Sequence, residues 1–161
     1  MNLVIGVGNP NRGDDGVGRT VARLLSPHVS VVEHNGEATS LLGVLREEDC
    51  VWLVDAAQSG AAPGTIHRID CAGEAPIPDR TMSSHGFGPA EAVGLARALG
   101  SLPRHCIIYA IEAADFTAGA PLSPPVERAA HQVAARILAE LTLPPPSSPR
   151  PRHPALATDH R

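Results

Sequence analysis

Aromatic side chains make up only 2% of this 161-residue chain, so its core has to be built from Val, Leu, Ile and Ala. Cysteine is scarce too. Cys50, Cys71 and Cys106 are widely spaced and form no C-x-x-C pair, which excludes a disulfide framework and a structural zinc knot and predicts a reducing compartment. No run of about eighteen consecutive apolar residues occurs, and no basic segment precedes a long apolar one near Met1, so neither a membrane span nor a secretory signal is expected. The expected location is the cytoplasm. Positive charge is also in short supply: the net charge is −4 and the pI near 6.0, which argues against a protein that grips nucleic acid through its phosphates. The peptidase signatures H-E-x-x-H and G-x-S-x-G are both missing.

What is present is concentrated in the opening stretch, MNLVIGVGNPNRGDDGVGRTVARLL. Leu3 to Val7 is an apolar run around Gly6, a turn of Gly, Asn and Pro follows, and after Asp14-Asp15 the apolar residues Val17, Val21, Leu24 and Leu25 recur with helical spacing. The stretch reads as strand, loop, helix. The loop fails as a phosphate cradle. The dinucleotide fingerprint needs Gly where Asn11 stands, and a P-loop needs Lys then Ser or Thr where Asp14 and Asp15 stand. Two carboxylates would repel phosphate. The loop is therefore built to present an acid at the carboxyl end of the first strand, or to cap the following helix with negative charge, and the pair suits one acid for each task.

Along the rest of the chain, His28–Glu33 alternates as a second strand, and Thr39 or Ser40 is placed to cap a short helix over Leu41, Leu42, Val44 and Leu45. Cys50–Asp55 is a continuous apolar run closed by an acid, as expected for a strand buried on both faces. Thr65–Ile69 alternates as a fourth strand suited to an edge, and Cys71–Arg80, with Pro76 and Pro78, reads as irregular. A polar loop over 81–88 leads to a helix from Pro89 to near Gly100, with Val93, Leu95 and Leu99 as its apolar side. His105–Ile111 is a further buried strand closed by Glu112. A last helix opens at Ser123-Pro124-Pro125 and turns Val126, Val133, Ile137, Leu138 and Leu141 to the core. Strands alternating with helices predict an α/β three-layer sandwich: a mainly parallel, twisted sheet of about five strands with helices on both faces. Residues 1–143 form its single domain, and the Pro-rich composition of 144–161 predicts a disordered tail.

Three polar residues occupy corresponding places in this pattern: Asp15 after the first strand, Asp55 closing the third, and His85 in the loop before the Pro89 helix. In a parallel sheet the two acids share the carboxyl edge, and the His loop can fold over it. Two carboxylates and an imidazole make an open site for a borderline divalent ion such as nickel or zinc, and the same trio suits acid–base catalysis. Each also has a plainer role. An Asp ending a strand often accepts backbone hydrogen bonds, a loop His is often only solvated, and Glu112 reads as structural.

The pattern G-x-G-N, a short polar run, Asp-Asp and Gly-x-Gly over Gly6–Gly18 resembles the opening of the hydrogenase maturation endopeptidases, which trim the large subunit of nickel–iron hydrogenases. The resemblance extends to Asp55, an acid ending an apolar strand before a Gly-rich turn, and to the His-x-x-Gly run His85–Gly88, and it spans Met1 to roughly Leu141. It implies a phosphorylase/hydrolase-like α/β fold. The activity it implies is that of an aspartyl-type processing endopeptidase, which removes a C-terminal extension from the large-subunit precursor once nickel is in place. It implies further that Asp15, Asp55 and His85 are both catalytic residues and nickel contacts. The nickel is expected to arrive with the precursor, with no organic cofactor and no nucleic-acid or membrane partner. Where many members carry Glu, this chain has Asp15, one methylene shorter. Where a common version of the loop after the second strand reads Asp-Gly-Gly-Thr, this chain has Glu33–Thr39, and Gly36 and Glu37 are its candidate substrate-binding residues.

Two other readings remain open at this point. The strand followed by Gly-Val-Gly-Asn-Pro is also similar to the start of the peptidyl-tRNA hydrolases, but Arg12–Asp15 replaces that family's Thr-Arg-His-Asn run, so this likeness ends at Pro10. The other is a nickel-dependent escort that binds a metalloprotein without cutting it.

Overall fold

The computed structural model describes residues 1–73 and 88–144. Its frame is a five-stranded sheet in the order β2-β1-β3-β5-β4. The apolar runs became its centre: β1 (Asn2–Val7), β3 (Cys50–Ala57) and β5 (His105–Glu112) are parallel neighbours, buried along nearly their whole lengths. The alternating segments became the edges. β2 (Ser30–His34) lies parallel to β1, and β4 (Ile66–Asp70) runs antiparallel to β5. An exposed edge tolerates the polar residues that alternate in β4.

Helices cover both faces, as the alternation of elements predicts. On one face α1 (Val17–Leu25) and α4 (Pro124–Leu141) enclose Val4, Trp52, Val54, Ile107, Tyr109 and Ile111. On the other, α2 (Ala38–Leu45) and α3 (Pro89–Ala98) enclose Leu3, Ile5, Val51, Leu53, Cys106 and Ile108. Successive strand residues point to opposite faces, so Val54 and Ala56 belong to the α1/α4 layer and Asp55 points toward the α2/α3 side.

The structure departs from three sequence expectations. Asp55 does not close its strand: β3 runs on through Ala56 and Ala57, because β5 is long enough to pair Ala57 with Glu112. Neither Thr39 nor Ser40 caps α2. Glu37 does, since its longer side chain reaches both amides, accepting from Thr39 N and Ser40 N at 2.8 Å each. The buried stripe of α3 is Pro89, Ala92, Val93 and Ala96, whereas Leu95 and Leu99 are 43% and 56% exposed. Alanine lets the helix lie close on the sheet, and that rotates the bulkier leucines outward. The expected tail, the irregular run after Cys71 and the loop carrying His85 lie wholly or largely outside the described residues.

Candidate active site at the carboxyl edge of the sheet

Between β1 and α1 the chain makes a single 3-10 turn, Gly13–Gly16, in which both acids are buried. Two glycines make this compact turn feasible. Gly8 has φ +135°, and a Cβ there would strike the Asp15 carbonyl. At Gly18, on the first turn of α1, a Cβ would run into the carbonyl oxygens of Val7 and Val54, so only glycine lets the helix sit on the seam between β1 and β3. The acid turn is thereby pressed onto the carboxyl edge of the two central strands.

Within the turn the acids divide their work. Asp14 is a structural hub. Its carboxylate accepts from Ala114 N at 2.8 Å, Asp115 N at 2.9 Å, and Ser123 N and Oγ at 2.7 Å each, while its own amide donates to the Asp115 carbonyl at 2.8 Å. This ties the turn to the loop between β5 and α4. Asp15 instead lies at the base of a cleft lined by Gly8, Asn9, Pro10, Arg12, Arg19 and Asn35, and its Oδ2 accepts from Asn9 N at 3.1 Å. Asp55 stands on the neighbouring strand, 3% exposed, with Oδ1 accepting from Ala56 N at 2.8 Å. The structure thus places Asp15 and Asp55 along one edge of adjacent parallel strands, and His85 lies outside the described residues. Among the described residues no three His, Cys, Asp or Glu side chains cluster as a metal site. The two carboxylates are hard oxygen donors, a donor type that suits part of a divalent-ion site.

Gly36 is buried with φ +91°, beside the acid turn: Gly8 N donates to the His34 carbonyl at 3.0 Å, and Asn35 lines the cleft. Glu37 is turned to helix capping, and its hydrogen bonds from the Ser40 and Thr39 amides hold its carboxyl below the usual range. His34 and Ser40 are the one hydroxyl–imidazole pair at this edge among the described residues, with Nε2 and Oγ 2.8 Å apart. Gly36 N donates to His34 Nδ1 at 2.9 Å, so Nε2 carries the proton and donates to the serine. That tautomer cannot take a proton from Ser40, and burial lowers the pKa of the ring. The pair is a loop clasp rather than a nucleophile and base.

Glu112 is structural, as its sequence context suggested. It is 2% exposed and accepts from Ser59 N at 2.7 Å, Ser59 Oγ at 2.8 Å and Gly60 N at 3.0 Å, fixing the turn after β3. Sequence reasoning missed Arg12 and Arg19 as cleft residues. The signal available was their placement, one on each side of the Asp pair.

The sequence profile of the hydrogenase maturation protease family matches residues 19–140, a span that includes Asp55 and His85 and begins just after Asp15. The hydrogenase expression/formation protein HupD of Thiocapsa roseopersicina is 30% identical over 122 residues, 71% of this chain and 55% of that protein. The hydrogenase expression/formation protein HoxM of Azotobacter vinelandii is 30% identical over 149 residues, 86% of this chain and 70% of that protein. The chain thus spans little more than half the length of some of the relatives it matches. In fold it is similar to the hydrogenase maturating endopeptidase HybD from E. coli, with a TM-score of 0.74 at 23% identity over 88% of this chain and 91% of that one. It is also similar to the HybD maturation protease of Thermococcus kodakarensis, with a TM-score of 0.70 at 24% identity over 88% and 98%.

Proposed function

Because the chain belongs to the hydrogenase maturation protease family, we propose that it is an endopeptidase that removes a C-terminal extension from a nickel-loaded nickel–iron hydrogenase large-subunit precursor. The observation that carries this reading is the division between the paired acids. Asp14 is committed to four protein donors, while Asp15 lies at a cleft on the carboxyl edge next to the strand of Asp55. Ligands of open α/β sheets collect at that edge.

Hydrolysis of a peptide bond needs a base that takes a proton from water as it attacks the carbonyl, and an acid that returns one to the leaving nitrogen. Asp15 and Asp55 are the carboxylates in place for this work, and their burial keeps bulk water from competing for the proton. His85 completes the trio. The nickel ion belongs to the substrate. Held by the precursor and met by Asp15, Asp55 and His85, it would polarise the reacting carbonyl or acidify a water molecule. A precursor without nickel would lack that part of the recognition, so metal loading licenses cleavage.

The test is mass spectrometry of the cognate precursor, with and without nickel, after incubation with the wild-type protein, Asp15→Ala or Asp55→Ala. Loss of a C-terminal peptide only with nickel and the wild-type protein is the expected outcome. Uncut precursor in a stable complex with the wild-type protein would instead identify a non-cleaving escort.

A further inference from the structure

The cleft beside Asp15 has a volume of about 290 Å³ and is rimmed by hydrogen-bond donors. Arg19 reaches from α1 and donates from Nε to the Gly8 carbonyl at 2.5 Å, and Arg12 lies over the Phe116 ring, 5.7 Å from its centroid. Among the described residues the side-chain ion pairs are Arg23–Glu33, His67–Glu112 and Arg68–Glu140, and none involves either cleft arginine. Among the described residues that line the cleft, two arginines thus accompany one carboxylate, that of Asp15. The two asparagines in the lining are oriented the same way. Asn9 Oδ1 accepts from Asn11 N at 2.9 Å and Asn35 Oδ1 from Glu37 N at 3.0 Å. With both amide oxygens engaged by backbone, each carboxamide offers its NH₂ group to a ligand.

Among the described residues the lining offers four side-chain donors, two of them cationic, beside one carboxylate, a set complementary to an anion with several acceptor atoms. Guanidinium groups match a carboxylate in particular, because their paired N–H bonds fit its two oxygens. We propose that Arg12 and Arg19, flanked by Asn9 and Asn35, bind a carboxylate of the substrate peptide close to the bond that is cut. This rests on the endopeptidase reading and extends it: the recognised tail carries an acidic side chain or presents its own terminal carboxylate beside Asp15. The site gives this chain a means of selecting its precursor that is separate from the metal.

The experiment is an NMR titration of the ¹⁵N-labelled full chain with three small probes: acetyl-glutamate N-methylamide, acetylglycine, and neutral acetyl-glutamine N-methylamide. Saturable shifts of the Gly8, Asn9 and Asn35 amides are expected at about 10 mM probe, the weak affinity proper to a single ion-pair contact. Saturation by the glutamate probe assigns the site to an acidic side chain, and saturation by acetylglycine alone assigns it to a chain terminus. Arg12→Gln and Arg19→Gln should each weaken binding about tenfold, as the loss of a charge-assisted hydrogen bond requires. Arg12 is exposed, so its replacement leaves the fold intact and serves as the control for Arg19. Equal binding of the glutamine probe, shifts that map elsewhere, or affinities unchanged in both variants would overturn the proposal. An uncut precursor alongside normal probe binding would count against the endopeptidase reading alone.

Discussion

At the scale of single residues, the adjacent acids Asp14 and Asp15 should respond in opposite ways to the same substitution. Asp14→Asn keeps one acceptor oxygen but turns an NH₂ group toward backbone donors, a cost of about 3 kcal/mol for a buried charged acceptor. Urea unfolding followed by the fluorescence of Trp52, the chain's one tryptophan, should show a lowered midpoint. Asp15→Asn should leave that midpoint much closer to wild type and reduce cleavage at least about a hundredfold, the usual contribution of a general base. A stable Asp14 variant beside an unfolded Asp15 variant would mean that the roles are reversed.

At the scale of elements, α1 and α2 are seated by different devices, and each makes a prediction. Gly18→Ala pushes a methyl group into backbone oxygens of β1 and β3, which cannot move apart without breaking the sheet. It should cost about 3 kcal/mol, near the upper end for overpacking, and lower the thermal midpoint accordingly. α2 depends on its Glu37 cap instead. The capping bonds hold that carboxyl below its ordinary pKa, so the stabilisation is present above the usual carboxylate range and is lost as pH falls through the depressed value. The protection factors of the Thr39 and Ser40 amides, the slowing of their exchange relative to an unstructured peptide at the same pH, should therefore fall in acid, and Glu37→Ala should lower them at all pH values. Protection factors that are high, independent of pH and equal in both proteins would rule out the cap. Because this cap lies next to His34-Asn35-Gly36, its loss should also loosen one wall of the cleft.

At the scale of the whole molecule, one carboxylate fastens α4 to three strands. Glu140 accepts from Trp52 Nε1 on β3, Arg68 Nε on β4 and the Tyr109 hydroxyl on β5. Burial first, and then the hydrogen bond and charge of Glu140, push the Tyr109 hydroxyl from 10.0 up to about 12. A raised pKa means that the folded state favours the protonated form. This contribution to stability is complete below pH 10 and is lost as pH rises through about 12. Tyr109 is the chain's single tyrosine, so an absorbance titration reads it directly. Glu140→Gln should bring its ionisation down toward the ordinary value and lower global stability. An unchanged titration would show that burial alone sets the shift.

The sequence by itself determined the local pieces: three continuous apolar runs that had to be buried strands, two alternating ones suited to edges, amphipathic helices between them, and an acid turn after the first strand. These follow from short-range periodicity and from turn chemistry, which act within a few residues. The place of Asp55 was legible for the same reason, though not the strand's continuation to Ala57, which needed a partner strand in β5. Tertiary structure decided what depends on distant partners. The donors that make Asp14 structural lie 100 to 109 residues away, so nothing local distinguishes it from Asp15. The order β2-β1-β3-β5-β4, the antiparallel edge strand and the meeting of Arg12, Arg19, Asn9 and Asn35 around one cleft are likewise set by how the elements pack. Periodicity tells each segment which face to bury, and only packing tells it against what.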